Sequence, residues 1–198
     1  AALIHWRRFM VPITVAAGAA TAAGVALGLV LAAVPALKGH MFWLVLAAGI
    51  AIFALAMRWD MSDRARETRR ADVAFWLHLA AAPMIAHSMF HLLGIFDGDI
   101  GPARAMTVIA LYIGFGLVAL AVDRRALLVS SLAYVLYALY ALFERAGAVE
   151  LSAALTALVI GSALLLLSAF WHRARAMVVG GLPGGLAARL PYVGSVMA

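Results

Sequence analysis

The chain has 198 residues, of which 67% are hydrophobic and 12% charged, and its mean hydropathy is +1.04. Soluble domains run near half apolar and a quarter charged; nine acids and fifteen bases cannot coat a globule of this size, so a water-soluble fold is excluded. Cysteine is absent, which removes disulfides, thiolate nucleophiles, Cys-ligated zinc and iron–sulfur clusters together.

Arg7 and Arg8 precede an unbroken apolar run. A secretory signal core spans about 7 to 15 residues, whereas this run reaches Ala36, so an uncleaved spanning helix is expected. Six stretches free of Asp, Glu, Lys and Arg follow one another at 10–36, 41–57, 73–96, 105–122, 126–143 and 151–171. Each approaches or exceeds the roughly 17 to 25 helical residues needed to cross a bilayer core. Continuous rather than alternating apolarity speaks against a barrel. The expected fold is all-α, a polytopic single-domain bundle of six transmembrane helices, with no linker dividing it. A three-plus-three arrangement is compatible with six spans, although no sequence similarity links the halves.

The bases set an orientation. Twelve Arg fall at Arg7, Arg8, in the 58–72 loop, at Arg124 and Arg125, and beyond Trp171; on the other side lie only Lys38, Arg104 and Arg145. The positive-inside rule then places both termini in the cytoplasm. Ala- and Arg-rich, Lys-poor usage suits a GC-rich bacterial genome, so the expected location is a bacterial inner membrane. The same distribution argues for membrane lipids as partners and against nucleic acid. The 58–72 loop carries five Arg beside Asp60, Asp63, Glu67 and Asp72, a mixed pattern that reads as a surface segment in contact with anionic lipid. Past His172 the tail, 172–198, is broken by Gly and Pro and is expected to be interfacial, with Leu182, Leu186 and Leu190 on one short amphipathic turn.

The third span holds His78, His87 and His91, and ionisable residues at membrane depth are functional candidates by default. His87 and His91 are four apart and share a helix face with Ala80, Pro83 and Gly94. Small residues favour close helix contact, so this face is expected to point into the bundle. Pro83 removes an amide donor and frees the carbonyl of Leu79. The pair can chelate a metal, but no Cys, Asp or Glu within the expected spans offers a third ligand. The bland alternative is that each imidazole ties helices together through a hydrogen bond.

Tyr137 on the fifth span and Tyr112 on the fourth fall in the same outer half as that pair and suggest an outward-facing polar vestibule, with Tyr134 deeper on the same arc of the fifth span. His78, Ser130 and Ser131 form a second, cytoplasmic-side cluster. Haem ligation would need facing histidines at matching depth, which His78 with His172 or His91 with His40 satisfies by depth alone. No cofactor is therefore expected, with haem or a metal at His87 and His91 as the alternatives. Gly24 and Gly28, following Ala20, form a small-residue ridge in the first span suited to tight helix crossing.

Hydrolase, zinc-helix and nucleotide-loop motifs are missing from the sequence, so no enzyme is expected. The first functional expectation is a small permease or channel-like protein, working as a homo-oligomer and handling a proton, ion or small polar solute at His87 and His91. The second is a non-catalytic accessory subunit of a larger respiratory, photosynthetic or secretory complex.

Overall fold

A computed structural model describes residues 2–95, 101–145 and 152–193. These form α1 (Ala2–Phe9), α2 (Ile13–Ala33), a 3-10 helix (Pro35–His40), α3 (Met41–Met61), α4 (Arg69–Leu92), α5 (Pro102–Val122), α6 (Ala126–Arg145), α7 (Ser152–Ala169), α8 (Trp171–Gly180) and α9 (Gly184–Ala187). No strand occurs among the described residues. Five of the helices are long and apolar enough to cross a membrane, and α7 with α8, bent by 75°, adds a sixth if the two form one broken span. The chain is thus all-helical, with the makeup of a multi-pass membrane protein.

Helix ends depart from the expected span ends for a physical reason: charge marks where an apolar environment stops, whereas backbone hydrogen bonding continues until something caps it. The second span therefore runs on through Arg58 and Asp60 to Met61, and the third begins at Arg69. Phe96, Leu151 and residues 194–198, which the expected third span, sixth span and tail include, lie outside the described residues. The run of spans divides into two compact units, one of Ala1–Leu92 with Leu190–Tyr192, the other of Leu93–Arg189 with Val193–Ala198. The division falls at the end of α4, within the last residues of the third expected span.

In the first unit α3 and α4 lie in close apposition around Ile52, Ala56, Val73, Leu77 and Ala81, with Ala16 of α2 joining this core. Gly49 makes the approach possible: a Cβ there would stand 3.0 Å from Cβ of Met84, 3.0 Å from Cγ1 of Ile85 and 3.2 Å from the Ile85 backbone nitrogen. Gly24 and Gly28 face open space instead. Ala16 is the one buried residue of α2, a helix that is apolar on every side, as buried or lipid-facing helices are.

The loop between α3 and α4 is locked by Asp63. Its carboxylate accepts the Thr68 hydroxyl at 2.7 Å and the amides of Thr68 at 3.0 Å and Glu67 at 3.2 Å. Thr68 in turn accepts the Arg70 amide at 3.2 Å, the N-cap arrangement that satisfies a first-turn donor. The Thr68 hydroxyl, with help from those amides and against the cost of burial, holds the Asp63 carboxyl below its ordinary value of 3.8. A carboxyl depressed by folding contributes stability above the unfolded-state value, and that contribution is lost as pH falls through the lower folded one. Amide protection at residues 67–70, relative to the intrinsic exchange rate at each pH, is therefore expected to fall below pH 3.8, and Asp63→Ala should show that loss of protection already at neutral pH. Unchanged protection in the variant would refute the lock.

Arg64 anchors the end of the chain. Its Nε donates to the Leu190 carbonyl at 2.8 Å, its guanidinium lies 4.2 Å over the Tyr192 ring, and the Tyr192 amide meets the Arg64 carbonyl at 3.4 Å. Leu190 is buried while Leu186 is 55% exposed. Because α9 stops at Ala187, the four-residue spacing of the tail leucines does not place them on one helical face.

In the second unit Asp123, with φ of 57°, ends α5 and turns the chain into α6. Its carboxylate accepts Trp171 Nε1 at 2.7 Å and lies 3.7 Å from Arg175 Nε, which fixes the start of α8 beside the α5–α6 turn. Ala119, Leu120, Leu128 and Trp171 form the core there.

Candidate functional site

The three histidines of α4 take different environments. His78 is 2% exposed and its Nε2 lies 3.0 Å from Oδ2 of Asp60, which is fully buried. Phe53 of α3 meets the same imidazole edge-on, with ring centres 4.8 Å apart. Nδ1 of His78 is buried with no hydrogen-bond partner among the described residues. A carboxylate and an imidazole thus share a site walled by the apolar core of α3 and α4, where ion pairs gain from low dielectric yet carry a large desolvation cost.

The sequence reading missed Asp60, because the apolar stretch was ended at residue 57 and the acids were all placed in loops. One signal could have found it. Asp60 falls four residues after Ala56, eight after Ile52 and eleven after Gly49, the helical spacing of the face that meets α4.

His87 and His91 sit further along α4. His91 stacks on Phe42 with centroids 3.5 Å apart and an 18° interplanar angle, and Phe42 also meets His87 edge-on at 5.7 Å. The two imidazoles are 6.3 Å apart, centre to centre. Pro83 and His87 are exposed, His91 is half-buried, and α4 runs through Pro83 without interruption. The buried face of α4 is therefore the His78 side, opposite the one expected to turn inward. Large and small apolar residues, Val73, Leu77, Ala81 and Phe90 among them, make that side. Among the described residues no group of three or more His, Asp or Glu is gathered as a metal site, so two imidazoles would have to hold any ion at His87 and His91 unaided.

The remaining expected site residues belong to the second unit. Tyr112 lines a cavity of about 480 Å³ with Leu128, Leu132, Arg125 and Trp171, and its hydroxyl is buried with no partner among the described residues. Tyr134 is half-buried and Tyr137 is 49% exposed. Ser130 is half-buried, and Ser131, fully buried, donates back to the Leu127 carbonyl at 2.6 Å within its own helix. That self-contained bond occupies the hydroxyl. His78 finds its partner in Asp60 of its own unit.

What this arrangement can do follows from the imidazole at its centre. With Nε2 against a carboxylate and Nδ1 open, His78 can accept a proton on one nitrogen and release one from the other toward Asp60. Comparison with protein-family models, with curated proteins and with solved structures finds no match to this chain.

Proposed function

We propose that the protein is a small permease or channel-like protein of a bacterial inner membrane, with six spans and both termini in the cytoplasm, that passes a proton, ion or small polar solute. The reading rests on one observation above all, the Asp60–His78 pair buried between two helices of membrane-spanning length. Ionisable side chains at such positions are costly to keep and mark ion or proton paths. His87 lies nine residues along α4 from His78, about 14 Å at the helical rise of about 1.5 Å per residue. Pro83 stands between them and frees the Leu79 carbonyl as an acceptor along the way. In this proposal, His87 and His91 receive the proton or cation at the outer side and the Asp60–His78 pair hands it on at the cytoplasmic side. The working form is a homo-oligomer.

The test is flux into liposomes that contain the reconstituted full chain and a trapped pH indicator, with a second indicator for alkali cations. The wild type is expected to dissipate an imposed gradient. His87→Ala with His91→Ala should reduce the rate by about a hundredfold, the scale of a lost proton-transfer group, without altering helix content. Wild-type flux in that double variant would eliminate the proposal.

A second reading, an accessory subunit of a larger membrane complex, draws on α2, of which Ala16 alone is fully buried and whose Gly24 and Gly28 are open. Native mass spectrometry after gentle extraction from the source membrane separates the two readings. Multiples of 20.9 kDa favour the permease, and foreign polypeptides in fixed ratio favour the subunit.

A further inference from the structure

The 58–72 loop is almost charge-balanced in sequence, with five Arg against Asp60, Asp63, Glu67 and Asp72. Folding shifts that balance toward the bases. Asp60 turns inward onto His78 and Asp63 is consumed by Thr68 and neighbouring amides, so the two are 0% and 8% exposed. Arg58, Arg69 and Arg70 remain exposed, as do Glu67 and Asp72. Arg58 and Arg70 line one recess of about 430 Å³ with Leu55, Trp59 and Ser62, and neither makes an ion pair with a carboxylate among the described residues. Arg70 also stands in the first turn of α4, a 24-residue helix, whose amino end adds a partial positive charge. A smaller recess of about 280 Å³, lined by Trp6, Met10, Thr68 and Arg69, shares Trp59 and Arg70 with the first.

We propose that Arg58 and Arg70 bind the phosphate of an anionic phospholipid, with Trp59 beside the glycerol backbone and Leu55 receiving the start of an acyl chain. Charge complementarity selects this occupant. Two guanidiniums that pair with no carboxylate among the described residues suit a phosphate, whose oxygens accept their paired N–H donors. Their position is the end of two apolar helices, where headgroups lie, and basic pockets between helices at that level suit phospholipid heads. Trp6 and Trp59, packed edge-to-face with centres 6.4 Å apart, supply the amphipathic rings that favour the same depth. The recess lies within the usual range of small-ligand sites, about 300–1,000 Å³. The proposal is independent of whether the protein transports anything.

The test uses the full chain in mixed micelles holding equal amounts of phosphatidylglycerol and chain-matched phosphatidylcholine, read by native mass spectrometry. The wild type is expected to retain phosphatidylglycerol preferentially, and Arg58→Gln with Arg70→Gln to weaken that preference about tenfold. Arg173→Gln, on an exposed arginine of the other unit, should leave it unchanged. Both substituted arginines are exposed, so helix content should persist, and Arg58→Lys with Arg70→Lys should restore part of the preference. Equal retention of both lipids by the wild type would overturn the proposal. So would undiminished preference in the glutamine variant, or displacement of the lipid by millimolar inorganic phosphate, which would mark a site for the free anion.

Discussion

His78→Ala is expected to destabilise the first unit by about 1–3 kcal/mol, the scale for a buried polar group that loses a hydrogen-bond partner. Asp60 has no exposed surface to retreat to, so its carboxylate cannot recover the lost contact from water. Asp60→Ala should cost a similar amount, since it strips the partner from His78 Nε2. The replacement of both, Asp60→Leu with His78→Leu, should recover most of the loss, because apolar side chains of similar size avoid desolvation altogether. Reversible unfolding of the detergent-solubilised protein in mixed micelles measures all three, and the double-variant cycle isolates the pair. Single variants as stable as the wild type would show that the two groups are not coupled. A leucine pair that restores stability but abolishes flux would separate the role of the pair in transport from its role in packing.

Gly49→Ala should cost about 1–3 kcal/mol, the range for forcing extra atoms into a filled contact, and Gly49→Leu should prevent α3 and α4 from closing. An added methyl meets Met84 Cβ at 3.0 Å and the Ile85 backbone nitrogen at 3.2 Å. Neither is the free end of a flexible chain, so the helices themselves must move apart. Since Asp60 and His78 are brought together by that same pair of helices, the wider crossing should also lengthen their 3.0 Å contact. Unfolding measurements give the first effect. The second is read from cross-linking between cysteines placed singly on α3 and α4, with the wild-type background free of native thiols. A Gly49→Leu protein that unfolds and cross-links like the wild type would remove Gly49 from its assigned role. By contrast Gly24→Ala and Gly28→Ala should be close to neutral, because nothing lies within 4 Å of either added methyl.

Composition and the spacing of charges were enough to determine the helical class, the five to six lengths able to cross a membrane, and the absence of thiol chemistry. Those properties are sums over many residues, and hydrocarbon accepts only a few backbone solutions. The α4 histidines were also legible as candidates, since an imidazole inside an apolar run stands out without any partner being known. Tertiary structure decided which of them is buried, and against what. The His87 face carries Ala, Pro and Gly and looked suited to close contact, yet the buried side of α4 is the one with Ala74, Leu77, His78, Ala81 and Ala82, while on the His87 side Phe42 of α3 reaches the two imidazoles. Small residues stand on both sides of α4, so smallness alone did not single out the packed one. Likewise the glycine that matters is Gly49, isolated in sequence, rather than the regular Gly24 and Gly28, because a close crossing depends on what the neighbouring helix presents at one level. The balanced charges of the 58–72 loop show the same limit. Sequence counts every charge equally, whereas the fold turns Asp60 and Asp63 inward and leaves Arg58 and Arg70 outside, and only burial separates a charge that is spent from one that remains to bind.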